Sequence, residues 1–215
     1  DAAGNVSSAG TRSITVDTAA PTITGVSAGW GAVLNATEDD GNGTVTVTTA
    51  GVEDGRTVTL TLNGANYTGT VTSNSASVSV TAAGLQALTD ATSYTLTANV
   101  SDAAGNAATA NSATSFTVDK TAPGAPVISL VASDDIVNLA EAGSNITGTC
   151  EAGATVALSI GGVTRAATVT GTNWSYTLVA GDITAMGEGA ETLSATQTDA
   201  AGNVSSAGTR SITVD

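Results

Sequence analysis

The residues of this sequence with the most potential for chemistry are its carboxylates. Aspartate and glutamate total 19, against 5 lysines and arginines, with no histidine and one cysteine among 215 residues. The acidic residues recur in fixed words, with D-A-A-G-N at residues 1–5, 102–106 and 199–203, and T-V-D ending at Asp17, Asp119 and Asp215. Carboxylates gathered on loops can bind a hard divalent cation. Aspartate before glycine or asparagine also has a plainer role, since its short side chain bonds local backbone donors in turns.

Other kinds of site find little support. Residues 25–29 match the G-x-S-x-G nucleophile motif, but that motif needs a histidine base and a strand–turn–helix setting. The lack of histidine and the single Cys150 also exclude the usual zinc sites and any internal disulfide. Asp39 and Asp40 could serve a hydrolase only in a cleft that raised one pKa. We therefore predict a protein that is not an enzyme, with Cys150 packed as a small apolar side chain.

The composition argues against nucleic acid and membranes as partners and indicates a core of strand-forming residues. A net charge of -14 repels nucleic acid and anionic membranes, and no apolar stretch approaches the roughly 18 residues of a membrane span. Apolar residues make up 41% of the chain but aromatic ones only 3%, so valine, isoleucine, leucine and alanine must form the core. Valine, isoleucine and threonine favour strands. No targeting segment is visible, and the first residues read as the middle of a domain.

An internal repeat sets the domain organisation. Residues 1–17 and 199–215 are identical, and residues 102–106 and 115–119 repeat the opening and closing words of that segment. A proline segment follows each closing word, at Pro21 and Pro123. The period is about one hundred residues, the size of an immunoglobulin-like sandwich. We predict a strand fragment of a preceding repeat at 1–17, one repeat at 18–119 and a second at 120–215.

Strand and turn signals in residues 120–215 predict seven short strands, at 127–132, 145–150, 155–160, 165–170, 174–179, 192–198 and 209–214. Asn63-Gly64 and Gly161-Gly162 are predicted hairpin turns. Residues 84–90 and 182–187 are predicted to form single helical turns. The fold class is therefore all-β, with tandem immunoglobulin-like antiparallel sandwiches joined by short linkers.

Several words resemble the bacterial immunoglobulin-like extender repeats of giant RTX-type and biofilm-associated surface adhesins. They are D-A-A-G-N, T-V-D-x-T-A-P at 117–123, G-T-C-E-A-G-A-T-V at 148–156, N-W-S-Y at 173–176 and N-L-A-E at 138–141. The resemblance implies an extracellular, cell-anchored protein whose repeats hold a distal ligand-binding domain away from the cell, with Ca²⁺ at the domain junctions. The first repeat departs from the pattern, because Gly29-Trp30-Gly31 stands where the second has Asp134-Asp135.

The sandwich topology suggests which carboxylates approach one another. The last strand ends at the pole where the next repeat begins, and the D-A-A-G-N loop and the loop after the second strand lie at the opposite pole. We therefore expect Asp17 to approach Asp102 and either Glu53 or Asp54, and Asp119 to approach Asp199 and Glu151. The remaining candidate ligands belong to outgoing poles, and they are Glu38, Asp134, Asp135, Glu141 and Asp215.

Two alternatives remain open. A module that grips carbohydrate or another cell directly would use an exposed aromatic residue, for which Trp30 and Trp174 are the candidates, although Trp174 also suits the core. The neighbours of each repeat are expected to be repeats of the same chain. Residues 1–17 could also pair as a strand with another copy, since an unpaired edge invites pairing. Exposed Ile14 and Val16 side chains would argue against that pairing.

Overall fold

A computed structural model describes residues 2–109 and 111–215, except for the side chains of residues 112–114. Asp1, the first residue of the predicted fragment 1–17, lies outside the described residues. The chain forms two compact units. Their ranges are Asp1–Ser27, Thr44–Ser79 and Thr95–Thr114 for unit 1, and Ala28–Gly43, Val80–Tyr94 and Ser115–Asp215 for unit 2. These ranges follow spatial contacts rather than the sequence period, so the repeat boundaries stay a prediction.

The described residues of 18–119, which leave out residue 110, form eight strands and one short helix. In chain order they are β1 (Thr22–Ala28), β2 (Val33–Leu34), β3 (Gly43–Ala50), β4 (Thr57–Leu62), β5 (Ala65–Thr70), β6 (Ser75–Val80), α1 (Ala82–Gln86), β7 (Ser93–Asn99) and β8 (Asn111–Val118). They form a sheet in the order β1-β3-β6 and a sheet in the order β2-β8-β7-β4-β5. Alternation buries Val58, Leu60 and Leu62 of β4 and leaves its threonines at least partly accessible. A 3₁₀ turn spans Glu38–Asp40.

Residues 120–215 contain nine strands and one helix. They are β9 (Val127–Ile128), β10 (Ile136–Val137), β11 (Asn145–Thr149), β12 (Thr155–Ile160), β13 (Val163–Ala166), β14 (Thr168–Thr170), β15 (Asn173–Thr177), α2 (Ala180–Met186), β16 (Gly189–Thr198) and β17 (Gly208–Val214). The sheet orders are β10-β17-β16-β12-β13 and β14-β15-β11-β9. A 3₁₀ turn spans Leu139–Glu141. Side chains of both sheets, including Ile146, Leu158, Trp174 and Leu193, share one buried core. The chain is thus an all-β sandwich protein, as its sequence predicts.

The predicted strands of residues 120–215 are found with local differences. The third, at 155–160, has the expected bounds. The fourth is split at Ala167 into β13 and β14, which pair with strands of different sheets. The two-residue strand β10 was not predicted, because a pair of residues carries no periodicity. Positive φ angles at Asn63, Gly64, Gly161 and Gly162 confirm both hairpin turns. Within the described residues, neither helix has the length and apolar character needed to cross a membrane.

One 17-residue sequence occurs in two environments. In residues 199–215 it includes β17, which buries Ile212 and Val214 to 4% and 5% exposure. In residues 2–17 the same word contains no strand, and Ile14 and Val16 are 78% and 76% exposed. The difference shows that burial of these side chains depends on the surrounding strands and not on the word itself. Exposed Ile14 and Val16 argue against pairing with another copy, and that pairing stays an untested prediction.

Gly148 supplies a test of the sandwich. It lies opposite Trp174 in the β11–β15 pair, and an added Cβ would overlap the Val127 carbonyl oxygen and the Trp174 ring. Gly148→Ala should therefore lower the free energy of unfolding by about 2 kcal/mol, as overpacking does. Gly181 in α2 is the matched control, because a Cβ there meets nothing within 4 Å. Gly181→Ala should leave stability unchanged or raise it by about 0.5 kcal/mol. Urea unfolding measures both, and equal stability of the two variants would contradict this packing.

Candidate metal-binding cleft

The D-A-A-G-N loops at residues 102–106 and 199–203 are each closed by their own aspartate and asparagine. In the loop at residues 199–203, the Asp199 backbone makes two hydrogen bonds. Its N–H donates to the Asn203 carbonyl oxygen at 3.1 Å, and its carbonyl oxygen accepts from Gly202 N–H at 3.2 Å. The Asn203 N–H also donates to Asp199 Oδ1 at 2.8 Å. Gly202 has a φ of 95°, which favours glycine at this position. Asp102 and Asn106 repeat the arrangement. The turn chemistry expected for such an aspartate is therefore present in both loops.

The asparagine side chain also joins the loop to the linker aspartate. Asn203 Nδ2 donates to Asp199 Oδ2 at 3.0 Å and to the Asp119 carbonyl oxygen at 3.0 Å. Asn106 Nδ2 makes the equivalent bonds to Asp102 Oδ2 at 2.9 Å and to the Asp17 carbonyl oxygen at 3.2 Å. One amide thus fixes the spacing between the first aspartate of the loop and the backbone of the linker aspartate.

The turn at residues 35–38 contacts the second loop. Asn35 Nδ2 donates to the Ala201 carbonyl oxygen at 2.9 Å, and Ala36 N–H donates to Asn203 Oδ1 at 3.0 Å. Asn203 consequently uses its amide oxygen for the contact with this turn and its amide nitrogen for Asp119 and Asp199. The predicted ligand Glu38 caps the turn, because its Oε2 accepts from Asn35 N–H at 3.0 Å. Glu141 makes the same capping bond to Asn138 N–H at 2.9 Å.

A cleft of about 680 Å³ lies beside the linker that follows β8. We call it the linker cleft, and its acidic lining residues are Asp90, Asp119, Glu151 and Asp199. The structure thus lines one cleft with the three residues expected to approach one another there: Asp119, Asp199 and Glu151. Their carboxylates are not drawn into a tight group, since in the part of the chain that the structure describes no three acidic side chains form a ready metal site.

The other predicted ligands have varied partners. Glu53 reaches the first D-A-A-G-N loop, where its Oε2 accepts from Ala103 N–H at 2.9 Å, whereas Asp54 accepts from Ser73 N–H at 2.7 Å. Asp134 accepts from Ile136 N–H. Asp135 is paired through both oxygens with Arg210. Asp215, at the end of β17, is exposed.

Hydrogen bonding holds the loop aspartates in their charged form. The Asn106 side chain is the main cause that lowers the pKa of Asp102. For Asp199, burial alone would raise the pKa, but hydrogen bonds from Asn203, Gly202 and Ala201 outweigh it and lower the pKa. Both loops therefore carry a negative charge at neutral pH next to the linker aspartate.

The donor atoms of the linker cleft fit a hard cation. Its acidic residues offer carboxylate oxygens, and none of the described residues that line it is basic. Glu151 is exposed, so its side chain is free to turn towards Asp119 or Asp199. Calcium accepts carboxylate, carbonyl and water oxygens in flexible geometry. The residues that would hold it are Asp119, Glu151 and Asp199.

Both tryptophans proposed for sugar stacking are buried. Trp174 is 2% exposed, and its Nε1 donates to the Val127 carbonyl oxygen at 3.2 Å. Trp30 is 8% exposed and packs edge-to-face on Phe116 with ring centroids 5.2 Å apart. Neither ring presents a face for a ligand, and no observation favours a carbohydrate-binding module.

Sequence reasoning overlooked the amides of Asn35, Asn106 and Asn203. Only charged residues were predicted as site residues, whereas neutral amide side chains make the bonds to the linker aspartates and from the turn at residues 35–38 to the second D-A-A-G-N loop. A usable signal was present, since asparagine closes each D-A-A-G-N word and opens both N-x-x-E words.

Similar proteins are found among solved structures. A structure of a Ca²⁺-stabilised adhesin that helps an Antarctic bacterium bind ice is 36% identical, with 100% of this chain and 55% of that one covered and a TM-score of 0.54. A structure on host cell surface retention of a 1.5-MDa bacterial ice-binding adhesin is 31% identical, with coverages of 91% and 64% and a TM-score of 0.53. The chain thus spans less than two thirds of either.

The fibronectin(III)-like modules of CbhA from Clostridium thermocellum are 16% identical, with coverages of 91% and 94% and a TM-score of 0.52, and share the fold alone. No protein-family model and no curated protein matches the sequence.

Removing the Asn203 amide should weaken the contacts of the second D-A-A-G-N loop with the linker and with the turn at residues 35–38. Asn203→Ala eliminates bonds to Asp119, Asp199 and Ala36, and should lower the free energy of unfolding by about 2 kcal/mol. Asn106→Ala is the matched variant, and it should cost about 1 kcal/mol because, among the described residues, the Asn106 side chain bonds only to Asp17 and Asp102. Differential scanning calorimetry compares them. A larger loss for Asn106→Ala would be inconsistent with this account.

Acid should destabilise the loops. Because the folded-state pKa values of Asp102 and Asp199 are lowered, their contribution is complete above the unfolded-state value of about 3.9 and is lost as pH falls through the folded-state values. We expect a nearly constant melting temperature from pH 7 to about 5 and a fall below about pH 4. The fall should be shallower in a variant with both Asn106→Ala and Asn203→Ala. An identical acid profile for that variant and the unmodified chain would refute the assignment.

Proposed function

The chain belongs to the bacterial immunoglobulin-like repeats of large surface adhesins, and we propose that it is a spacer in which Ca²⁺ stiffens the linkers between repeats. Its proposed role is to hold a distal ligand-binding domain away from the cell, in an extracellular, non-enzymatic stalk. The repeats would be residues 18–119 and 120–215, with residues 1–17 belonging to a preceding one. Neighbouring repeats of the same chain would be its main partners.

The linker cleft is the observation that carries the calcium proposal. Asp119 belongs to the linker, Glu151 to the turn after β11 and Asp199 to the D-A-A-G-N loop, yet all three line one cleft. Like charges at such a place repel one another unless a cation neutralises them. Asn203 already holds the Asp119 carbonyl oxygen near the Asp199 carboxylate, and the exposed Glu151 side chain would turn towards them to complete a ligand set.

The first linker offers a related set. Asn106 binds the Asp17 carbonyl and the Asp102 side chain, and Glu53 contacts the residue after Asp102. The equivalents of Asp119, Asp199 and Glu151 are therefore Asp17, Asp102 and Glu53. Asp54 is the weaker candidate, because its side chain accepts from Ser73 N–H. Further sites would use Glu38, Asp134, Glu141 and Asp215, which are expected at the pole where the next repeat begins. Asp135 is already paired with Arg210.

A cation at each linker would have a mechanical effect. Without it, the carboxylates beside the linker repel one another. With it, three segments of each site bind the same ion: the linker, the D-A-A-G-N loop and the turn that carries Glu53 or Glu151, which follows β3 or β11. A cation at one hundred times its dissociation constant stabilises the folded state by about 2.7 kcal/mol per site, which is large for a domain of this size.

We expect calcium to raise the melting temperature and to change the radius of gyration. Both quantities are measured on the whole chain in EDTA and in millimolar Ca²⁺, by calorimetry and by small-angle X-ray scattering. Glu151→Gln should reduce the calcium-dependent rise by weakening one site, whereas in EDTA its melting temperature should be unchanged or slightly higher, because one repelling charge is removed. The matched control is Glu188→Gln, since Glu188 is exposed and lies outside the linker cleft.

The proposal fails if neither the melting temperature nor the radius of gyration responds to Ca²⁺. A calcium response that Glu151→Gln and Glu188→Gln retain equally would place the ion elsewhere in the chain and would overturn the assignment of the linker cleft.

A further inference from the structure

The ammonium of Lys120, the only lysine of the chain, lies among oxygen atoms alone. Its Nζ is 2.6 Å from Asp39 Oδ2. It also donates to the carbonyl oxygens of Leu85 at 3.1 Å, Gln86 at 3.3 Å and Leu88 at 3.2 Å. Leu85 and Gln86 are the last two residues of α1 and Leu88 follows it, and the Leu85 carbonyl also accepts from Leu88 N–H at 3.1 Å. One carboxylate and three carbonyls are the donor types of a calcium site.

This cluster is well shielded from solvent. The side chain of Asp39 is 8% exposed and that of Lys120 is 18% exposed. A buried carboxylate without a cation would be costly, so the ammonium is required there. The linker backbone is anchored at the same place, because Lys120 N–H donates to Asp90 Oδ1 at 2.7 Å and Thr121 Oγ1 donates to Asp90 Oδ2 at 2.5 Å.

The internal repeat shows that both charges are specific to this place. Lys120 follows the linker aspartate Asp119, and Thr18 stands at that position after Asp17. Asp39 follows the N-x-x-E word at residues 35–38, and Ala142 stands at that position after residues 138–141. The ammonium and its carboxylate therefore occur together, and neither position carries a charge in the other copy of its word.

A second buried ion pair shows what is unusual here. Asp182 is paired with Arg165, but its other contacts are the Tyr176 hydroxyl at 2.7 Å and Val179 N–H at 3.2 Å, which are donors. That cluster is organised around an anion. The cluster at Lys120 instead gathers one carboxylate and three main-chain carbonyl oxygens around a single ammonium.

We propose that the Lys120 ammonium is a tethered cation that fills a cation site formed by Asp39 and the carbonyls at the end of α1. It ties the start of the linker to α1 without metal. Removal of the ammonium leaves an oxygen-lined site that binds free Ca²⁺. This inference does not rest on the calcium proposal for the linker cleft, because Asp39, Leu85, Gln86 and Leu88 do not line that cleft.

The test compares Lys120→Met, which keeps an unbranched apolar stem and removes the charge, with the unmodified chain. In EDTA its melting temperature should fall by about 5 °C. Saturating Ca²⁺ should restore at least half of that loss beyond any rise in the unmodified chain, and calorimetric titration should count one additional Ca²⁺ per chain. Adding Asp39→Asn to Lys120→Met should abolish the additional site.

Arg165→Met is the matched control for loss of the cation that pairs with a buried carboxylate, since the Asp182 side chain is fully buried. It should also lower the melting temperature, but Ca²⁺ should not restore it, because donors surround Asp182. Two results would overturn the proposal: a Lys120→Met variant as stable as the unmodified chain in EDTA, or one whose loss Ca²⁺ does not reverse and whose ion count is unchanged. Both comparisons hold whether or not the unmodified chain binds Ca²⁺.

Discussion

An excess of negative charge over positive charge is the constraint on which the rest of this structure depends. The chain has 19 acidic and 5 basic residues. Three of the five basic residues pair with carboxylates, Lys120 with Asp39, Arg165 with Asp182 and Arg210 with Asp135. The linker aspartates Asp17 and Asp119 have no such partner among the described residues, and amide and backbone donors must serve them. A divalent cation bound by these carboxylates would supply the missing positive charge.

Amides and cations have different tasks at the linkers. A neutral amide such as that of Asn203 fixes distances, since it donates to a carbonyl and a carboxylate at once while its oxygen accepts from Ala36 N–H. It leaves the net charge unchanged. A metal ion neutralises charge but needs ligands already held near one another. Asn203 brings two of the acidic residues of the linker cleft together, which reduces the ordering that ion binding requires. At the start of the linker Lys120 combines both tasks in one side chain.

Much of the fold follows from the sequence, because alternation is a local property. Threonine alternates with valine and leucine in β4, and a threonine or small residue separates each apolar residue of β12, so the faces that reach the core were predictable. The break at Ala167 and the two-residue strand β10 depend on which sheet each segment joins, and no local pattern records that. The repeated 17-residue segment shows the limit directly, since its isoleucine and second valine are buried as Ile212 and Val214 and exposed as Ile14 and Val16.

The candidate site was predictable in its residues but not in its contacts. Repetition beside the linker aspartates identified Asp102 and Asp199, and the sandwich topology placed Glu53 and Glu151 near them. The choice of Glu53 over Asp54 rests on a backbone contact to Ala103. The capture of Asp135 by Arg210 joins positions 75 residues apart. Trp30, a candidate for an exposed ring, is buried by Phe116, a contact that its glycine neighbours do not foretell.

Anomalous diffraction from crystals of the whole chain grown with Ca²⁺ or soaked with a lanthanide tests the central claim most directly. The account predicts a peak in the linker cleft, about 2.3–2.6 Å from carboxylate oxygens of Asp119, Asp199 and a reoriented Glu151 when Ca²⁺ is bound. A cleft that holds only water at saturating metal, with the Glu151 carboxylate turned away from Asp119 and Asp199, would contradict it.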